Sequence, residues 1–252
     1  MEGHSYFVGV DVGTQSTKTL IIDGETGIVV GKASKSYGLI KGLPPGHKEQ
    51  DARVWIDALH YTLRESLKES GADPKDVKAI GVSGQQHGFV PLDRYGNVIR
   101  PVKLWNDTST IEECEILTSK MGGKKAVIEE LGVPILPGYT APKILWLKRH
   151  EPENYSKLAT VLLPHDYVNY YLTGNKLMEY GDASGMALMN VRTRAWCDKI
   201  IEIIDPDLKA KLPPLQPSDK PAGMIRKEIA KILVALRSRL TFGSAFIFLI
   251  RG

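Results

Sequence analysis

The chain has 252 residues, 42% hydrophobic and 25% charged, enough for one large domain or two small ones without covalent staples. Its formal charge of +4 is a property of the tail: residues 224–252 hold six Lys/Arg against Glu228, and the rest is close to neutral, so nucleic acid is not an expected partner of the body. Cys114 and Cys197 form no CxxC, the six histidines lack zinc spacing, and the chain shows neither a signal-peptide pattern nor an apolar run long enough for a membrane span, so a cytoplasmic protein is expected.

Tyr6–Val12, Thr17–Ile22 and Ile28–Ser36 read as strands joined by tight turns, so the chain should open on a β-meander, unlike a Rossmann unit. A Gly/Pro loop (Gly42–Gly46) precedes a helix capped by Asp51 and running to about Ser70 on the apolar spacing of Val54, Ala58, Leu59, Leu63 and Leu67. Val77–Ser83 is a buried strand, and Val90–Leu92 resumes extended structure after the GQQHG loop. Asp107 or Thr108 should cap a helix to about Met121, and Pro142 suits the first turn of a helix over Ala141–His150. A strand at Val161–Leu163 and a helix over His165–Leu172, stopped by Gly174, follow. Ile225, Ile229, Ile232, Leu233 and Leu236 mark an amphipathic helix, after which LTFGSAFIFLI is a short apolar run with no strand beyond it to pair with.

Four segments carry chemistry. Asp11, Gly13, Thr14, Ser16, Thr17 and Lys18 place a carboxylate at a strand end before a Gly- and hydroxyl-containing hairpin, a way to hold phosphate and, through water on Asp11, Mg²⁺. Alone, these residues are better explained by an ordinary hairpin turn, where Gly, Thr and Ser are common; the meander that continues after them turns the reading towards a phosphate loop. Gln86 and His87, between Gly84 and Gly88, offer donors and acceptors suited to sugar hydroxyls, but for a lone histidine the plainer reading, a solvated turn with a neutral surface imidazole, is the better one. Trp105, Asn106 and Asp107 combine an aromatic face with an amide and a carboxylate, as sugar sites do; a helix start with Asp107 as cap and Trp105 in the core is compatible with this. In GYTAPKILWLKRH (138–150) nothing demands catalysis, and Ile144, Leu145 and Leu147 read as core; Lys143 could orient a group near the cleft, but a solvated lysine is the reading preferred.

In this order and spacing the four segments resemble the FGGY carbohydrate kinases, and 138–150 matches a signature of that family throughout. GQQHG, LWND, LLPHDYV (162–168) and DASGMALMNVRTRAW (182–196) point within it to xylulokinases, with Gln86 where many members have methionine. The resemblance covers about residues 6–232. It implies an α/β, ribonuclease H-like, actin-like ATPase fold: a mixed five-stranded sheet with a β-meander start, flanking helices, and added helices and loops in 100–200. The sugar-binding first domain would occupy 1–223, and 224–252 would be a helix and an atypical tail where the second domain should begin. The family reaction transfers the γ-phosphoryl of MgATP to the 5-hydroxyl of D-xylulose. By resemblance Asp11 lies near Mg-ATP, Gln86 and His87 contact the ketose, and Trp105, Asn106 and Asp107 line the pocket. The general-base aspartate and most adenine contacts belong to a second domain, whose Gly-Asp turn is not found after Leu233. The expectation is therefore a chain with no catalytic base of its own, shortened in a way a frameshift would explain, and with little activity alone. A homodimer is one arrangement open to it. A non-catalytic sugar-binding module or regulator is the alternative; a chaperone-like ATPase has no sugar to hold and fits GQQHG and LWND poorly.

Overall fold

The structure, a computed structural model, describes residues 4–234 and 246–248. The meander is present: β1 (Tyr6–Val12), β2 (Ser16–Asp23) and β3 (Val29–Ser36) pair antiparallel in sequence order. Alternation explains which face is buried, since Val8, Val10 and Val12 turn inward while Phe7 and Asp11 face out. After the short β4 (Glu49–Gln50), α1 (Arg53–Ser70) lays Trp55, Leu59, Thr62, Leu63 and Ser66 under the meander. Gly71 closes it in the left-handed conformation, with φ 67°. Asp51 serves its start from one residue further out than a normal cap, accepting from the Arg53 amide at 2.9 Å.

β5 (Val77–Gly84) returns parallel to β1 on the side away from β2, the crossover expected of the fold. Beyond it the chain builds the added region: β6 (Val90–Leu92), β7 (Val102–Lys103, paired with β4), α2 (Ile111–Lys120), α3 (Lys124–Leu131), α4 (Thr140–His150), α5 (Pro152–Tyr155) and β8 (Thr160–Leu162, paired with β6). Then come α6 (Pro164–Thr173), β9 (Met178–Glu179), α7 (Tyr180–Ser184), β10 (Met189–Asn190), β11 (Ala195–Trp196) and α8 (Asp198–Ile204). β12 (Leu215–Gln216), β13 (Pro221–Met224), α9 (Lys227–Val234) and β14 (Phe246–Phe248) complete the described residues. α6 ends at Gly174 as expected. α2 starts three residues later than Thr108, because Asp107 is engaged elsewhere.

Among the described residues the main sheet has six strands in the order β13-β14-β5-β1-β2-β3, one more than expected. No strand is expected from sequence at β13, and the run holding β14 is expected to lack neighbours, while the strand expected at Val161–Leu163 is β8, paired with β6 outside this sheet. β14 is parallel to β5 and antiparallel to β13, so Phe246–Phe248 of the apolar run find neighbours upstream. The rest of the expected tail, 235–245 and 249–252, lies outside the described residues. Two cores result. One joins the sheet to α1 and α6 through Val10, Trp55, Leu63, Val82 and Leu172. The other fills the added region through Leu117, Ile144, Leu147, Leu188 and Ile200. The GQQHG loop runs along their seam: Phe89 belongs to the second core and Val90 to the first. Among the described residues no helix is long and apolar enough to cross a membrane.

Candidate functional site

The turn between β1 and β2 is held by its carbonyls. Gly13 O accepts from the Tyr37 hydroxyl at 2.7 Å, Thr14 O from Gln50 Nε2 at 2.7 Å, Gln15 O from the Tyr37 amide at 3.0 Å, and Ser16 O from the Gly13 amide at 3.0 Å. With these carbonyls engaged, the Thr14 and Gln15 amides have no hydrogen-bond partner among the described residues. Unpaired N–H groups on a turn whose oxygens are already engaged suit an anion. Burial raises the Tyr37 phenol to about 12, so it remains a donor.

The residues expected around this turn divide. Asp11 is exposed at the C-terminal end of β1, in register with Ser83 of β5 and Lys18 of β2. It opens onto a hollow of about 700 Å³ on the uncovered sheet face, with Gly9, Lys18, Leu20, Lys32 and Ser83 in its lining. Its exposed carboxylate and the unpaired amides of the turn fit Mg²⁺ held through water and a phosphate chain. Thr17 does not join them, being fully buried with its hydroxyl 3.1 Å from that of Tyr37. Ser16 is half-buried, and the Thr14 hydroxyl is already engaged.

That engagement joins the turn to the candidate sugar loops. Thr14 Oγ1 donates to Gln85 Oε1 at 3.1 Å and accepts from Trp105 Nε1 at 2.9 Å. Gln85 Nε2 donates to Gln50 Oε1 at 3.1 Å, and the Gln85 amide to Val12 O at 2.9 Å. One network thus positions the β1–β2 turn, the loop after β5 and the Trp105 loop. Gln50 and Gln85 are its centre, and neither stood out in the sequence; the only signal was the position of Gln85 inside GQQHG.

Gln86 is exposed. His87 sits at φ 61°, left-handed for a residue with a side chain. Its ring lies 4.7 Å from that of Tyr139. On another side is Gly185, where a Cβ would come within 2.0 Å of His87 Cε1, so any larger residue there would displace the ring. Burial, and next the charge of Lys143, hold the imidazole below its usual range, and Nδ1 is buried without a partner. Trp105 is 49% exposed, and Asn106 Oδ1 beside it is also buried and unpartnered.

Asp107 and Lys143 depart from expectation. Asp107 is fully buried, and its oxygens accept from the Lys48 amide (2.8 Å), the Ser109 amide (3.0 Å) and hydroxyl (2.5 Å), and Lys103 Nζ (3.3 Å). Burial pushes its carboxyl up, but these bonds and the Lys103 charge bring it below the ordinary range. Asp107 thus shapes the Trp105 loop from within; it neither presents its carboxylate outward nor caps α2. Its neighbours His47 and Glu49 complete a set with metal-ligand spacing, but Lys103 Nζ fills it, 3.1 Å from both His47 Nδ1 and Glu49 Oε1. Lys143 is buried rather than solvated: Nζ donates to His87 O at 2.8 Å and Gly138 O at 2.7 Å, and burial pulls it down to about 7.

Residues 6–236 match the N-terminal domain of the FGGY family of carbohydrate kinases. The chain belongs to that family. It is 38% identical over 232 residues to the xylulose kinase of Haemophilus influenzae, covering 90% of this chain and 47% of that one. To the xylulose kinase of Bacillus subtilis it is 37% identical over 226 residues, 89% of this chain and 44% of that one. Among solved structures, a xyloylose kinase from Brucella ovis superposes with a TM-score of 0.87 at 29% identity, over 96% of this chain and 48% of that one. A gluconate kinase from Lactobacillus acidophilus gives 0.86 at 25%, over 98% and 47%. The FGGY chain described here therefore has the actin-like α/β fold of these sugar kinases and corresponds to their first domain. It spans about half the length of the curated relatives it matches.

Proposed function

We propose that this chain supplies the sugar-binding floor and one phosphate loop of a cytoplasmic ketopentose kinase, with D-xylulose as the acceptor and MgATP as the donor. The observation that carries the sugar reading is the pair of unpartnered buried atoms, His87 Nδ1 and Asn106 Oδ1, on loops that also carry the exposed Trp105. Buried polar atoms without partners are costly, and a polyhydroxylated ligand supplies both partners while its C–H face covers the indole. A neutral His87 can both donate to and accept from hydroxyls. Gln86, exposed on the same loop, reaches outward to the ketose. Asp107 acts in this reading by holding Trp105 and Asn106 in place.

The amides of Thr14 and Gln15, with the Ser16 hydroxyl and Lys18, receive phosphate oxygens, and Asp11 holds Mg²⁺ through water. When bound, Mg²⁺ would neutralise charge on the transferring phosphoryl group. Positioning and charge stabilisation of this kind need a second wall, with a base to take the proton from the sugar hydroxyl. We place that wall and most adenine contacts outside these 252 residues. Loss of a general base alone costs about 10²–10⁴-fold. The test is coupled ADP release from MgATP with D-xylulose at high protein concentration, with His87→Ala as control. The expected result is saturable sugar binding with turnover near background. Rapid turnover abolished by His87→Ala would overturn the division of labour, and absence of D-xylulose binding would overturn the substrate.

A further inference from the structure

Among the described residues two lysines are completely buried, and they are stabilised differently. Lys103 has Glu49 and Asp107 within 3.1 and 3.3 Å and the Trp146 ring 3.9 Å away. Lys143 has no carboxylate within ion-pair distance among the described residues; its partners are backbone carbonyls. A buried ammonium without a counter-ion is expensive, and an apolar side chain of similar length would fill the space at lower cost. The position of those carbonyls accounts for retaining it.

The carbonyl of His87 belongs to the left-handed residue at the tip of GQQHG, and it also accepts from Thr140 Oγ1 at 3.2 Å. The carbonyl of Gly138 lies in the turn beneath Trp105, where a Cβ at 138 would come within 2.4 Å of Trp105 O. One ammonium therefore fastens the His87 loop to the turn that supports the Trp105 loop, both from the first turn of α4. We propose that Lys143 is a positioning residue of the sugar site, clamping the carbonyls of His87 and Gly138 so that the His87 ring and the Trp105 loop are held at the spacing the sugar requires. The sugar arm of this proposal rests on the function proposed above; the clamp on His87 does not. The charged and titratable groups facing Lys143 are Asp107, Lys103 and Cys114, and those facing His87 are Lys143 itself and Asp182.

The test uses the chain as it stands, with Lys143→Met and Thr140→Val. The His87 ring resonances, identified by their loss in His87→Gln, are followed by NMR against pH, and D-xylulose affinity is measured beside them. In folded Lys143→Met, removal of the neighbouring charge should raise the His87 titration midpoint by about half a unit or more. The ring-current shift from Tyr139 should change, and D-xylulose affinity should fall about tenfold. Thr140→Val should move the same resonances in the same sense by less, which keeps the clamp testable if Lys143→Met does not fold. A lysine that merely filled space would raise the His87 midpoint through loss of its charge alone and leave the ring-current shift from Tyr139 in place, and Thr140→Val, which keeps the charge, would then change nothing at His87; an unaltered ring-current shift in the folded variants overturns the clamp. Failure of the unaltered chain to bind D-xylulose would instead count against the sugar reading, leaving the His87 resonances to decide the clamp. Normal affinity in Lys143→Met would overturn its role in the site.

Discussion

Gln50 uses its whole amide. Nε2 donates to Thr14 O at 2.7 Å and Gly38 O at 3.3 Å, while Oε1 accepts from Trp55 Nε1 at 3.0 Å and Gln85 Nε2 at 3.1 Å. Gln50→Leu would leave buried donors and an acceptor unpaired, at about 1–3 kcal/mol for each group that water cannot reach. Urea denaturation should show a loss of at least about 2 kcal/mol, whereas Gln86→Leu, on an exposed side chain, should stay within about 0.5 kcal/mol. His165 offers a pH-dependent case. It is buried with Nε2 3.1 Å from Asp166 and Nδ1 2.9 Å from Asp182. Burial pushes its pKa down, but the two carboxylates outweigh this and hold it well above the ordinary value of 6.5. A raised folded value makes its stabilisation complete below about 6.5 and lost as pH rises through the folded value. His165→Asn should therefore cost most near pH 6, about 3–5 kcal/mol as for a broken buried pair, and progressively less towards alkaline pH in denaturation series. Residue types in the motifs were legible from sequence, but their roles were not. Asp107 and Thr17 are ligand-like in type and buried in fact, because burial is decided by neighbours far along the chain such as Lys48 and Tyr37.

The opening elements were legible because β1–β3 are long, alternate, and close with tight turns, and because α1 repeats its apolar residues over eighteen positions. The strands of two or three residues in the added region have no period of their own; they exist because partners such as β4 and β7 are brought together by the rest of the fold. α3 gave little signal for the same reason, since it buries only Val127 and Leu131. How closely α1 approaches the meander was also invisible in sequence. A Cβ at Gly31 would lie 2.3 Å from Ser66 O, against helix backbone that cannot yield locally, while Thr19 and Thr62 share a buried 2.7 Å hydrogen bond nearby. Gly31→Ala should push α1 off the sheet and cost about 1–3 kcal/mol, seen as a fall in the urea midpoint with an unchanged slope. Gly38→Ala, at a glycine with open space around it, is the control and should be nearly silent.

On the scale of the whole molecule, the candidate site lies along the seam between two cores. The sheet core carries the β1–β2 turn, the added-region core carries Tyr139, α4 and Gly185, and GQQHG joins them. Hydrogen bonds along this seam bring together segments far apart in the chain, from the β1–β2 turn to α4, which no local pattern in the sequence marks. The indole N–H of Trp105 stands at the junction, donating to Thr14 Oγ1 of the β1–β2 turn from a half-exposed ring on the loop proposed to hold sugar. The most direct test of the account follows the tryptophan indole N–H resonances of the chain by ¹⁵N NMR during a titration with D-xylulose, with Trp105→Phe to identify the signal. The account predicts a saturable shift of Trp105 while Trp55, fully buried on Gln50, scarcely moves. A Trp105 resonance unmoved at saturating sugar, or one moving no more than Trp55, would contradict it.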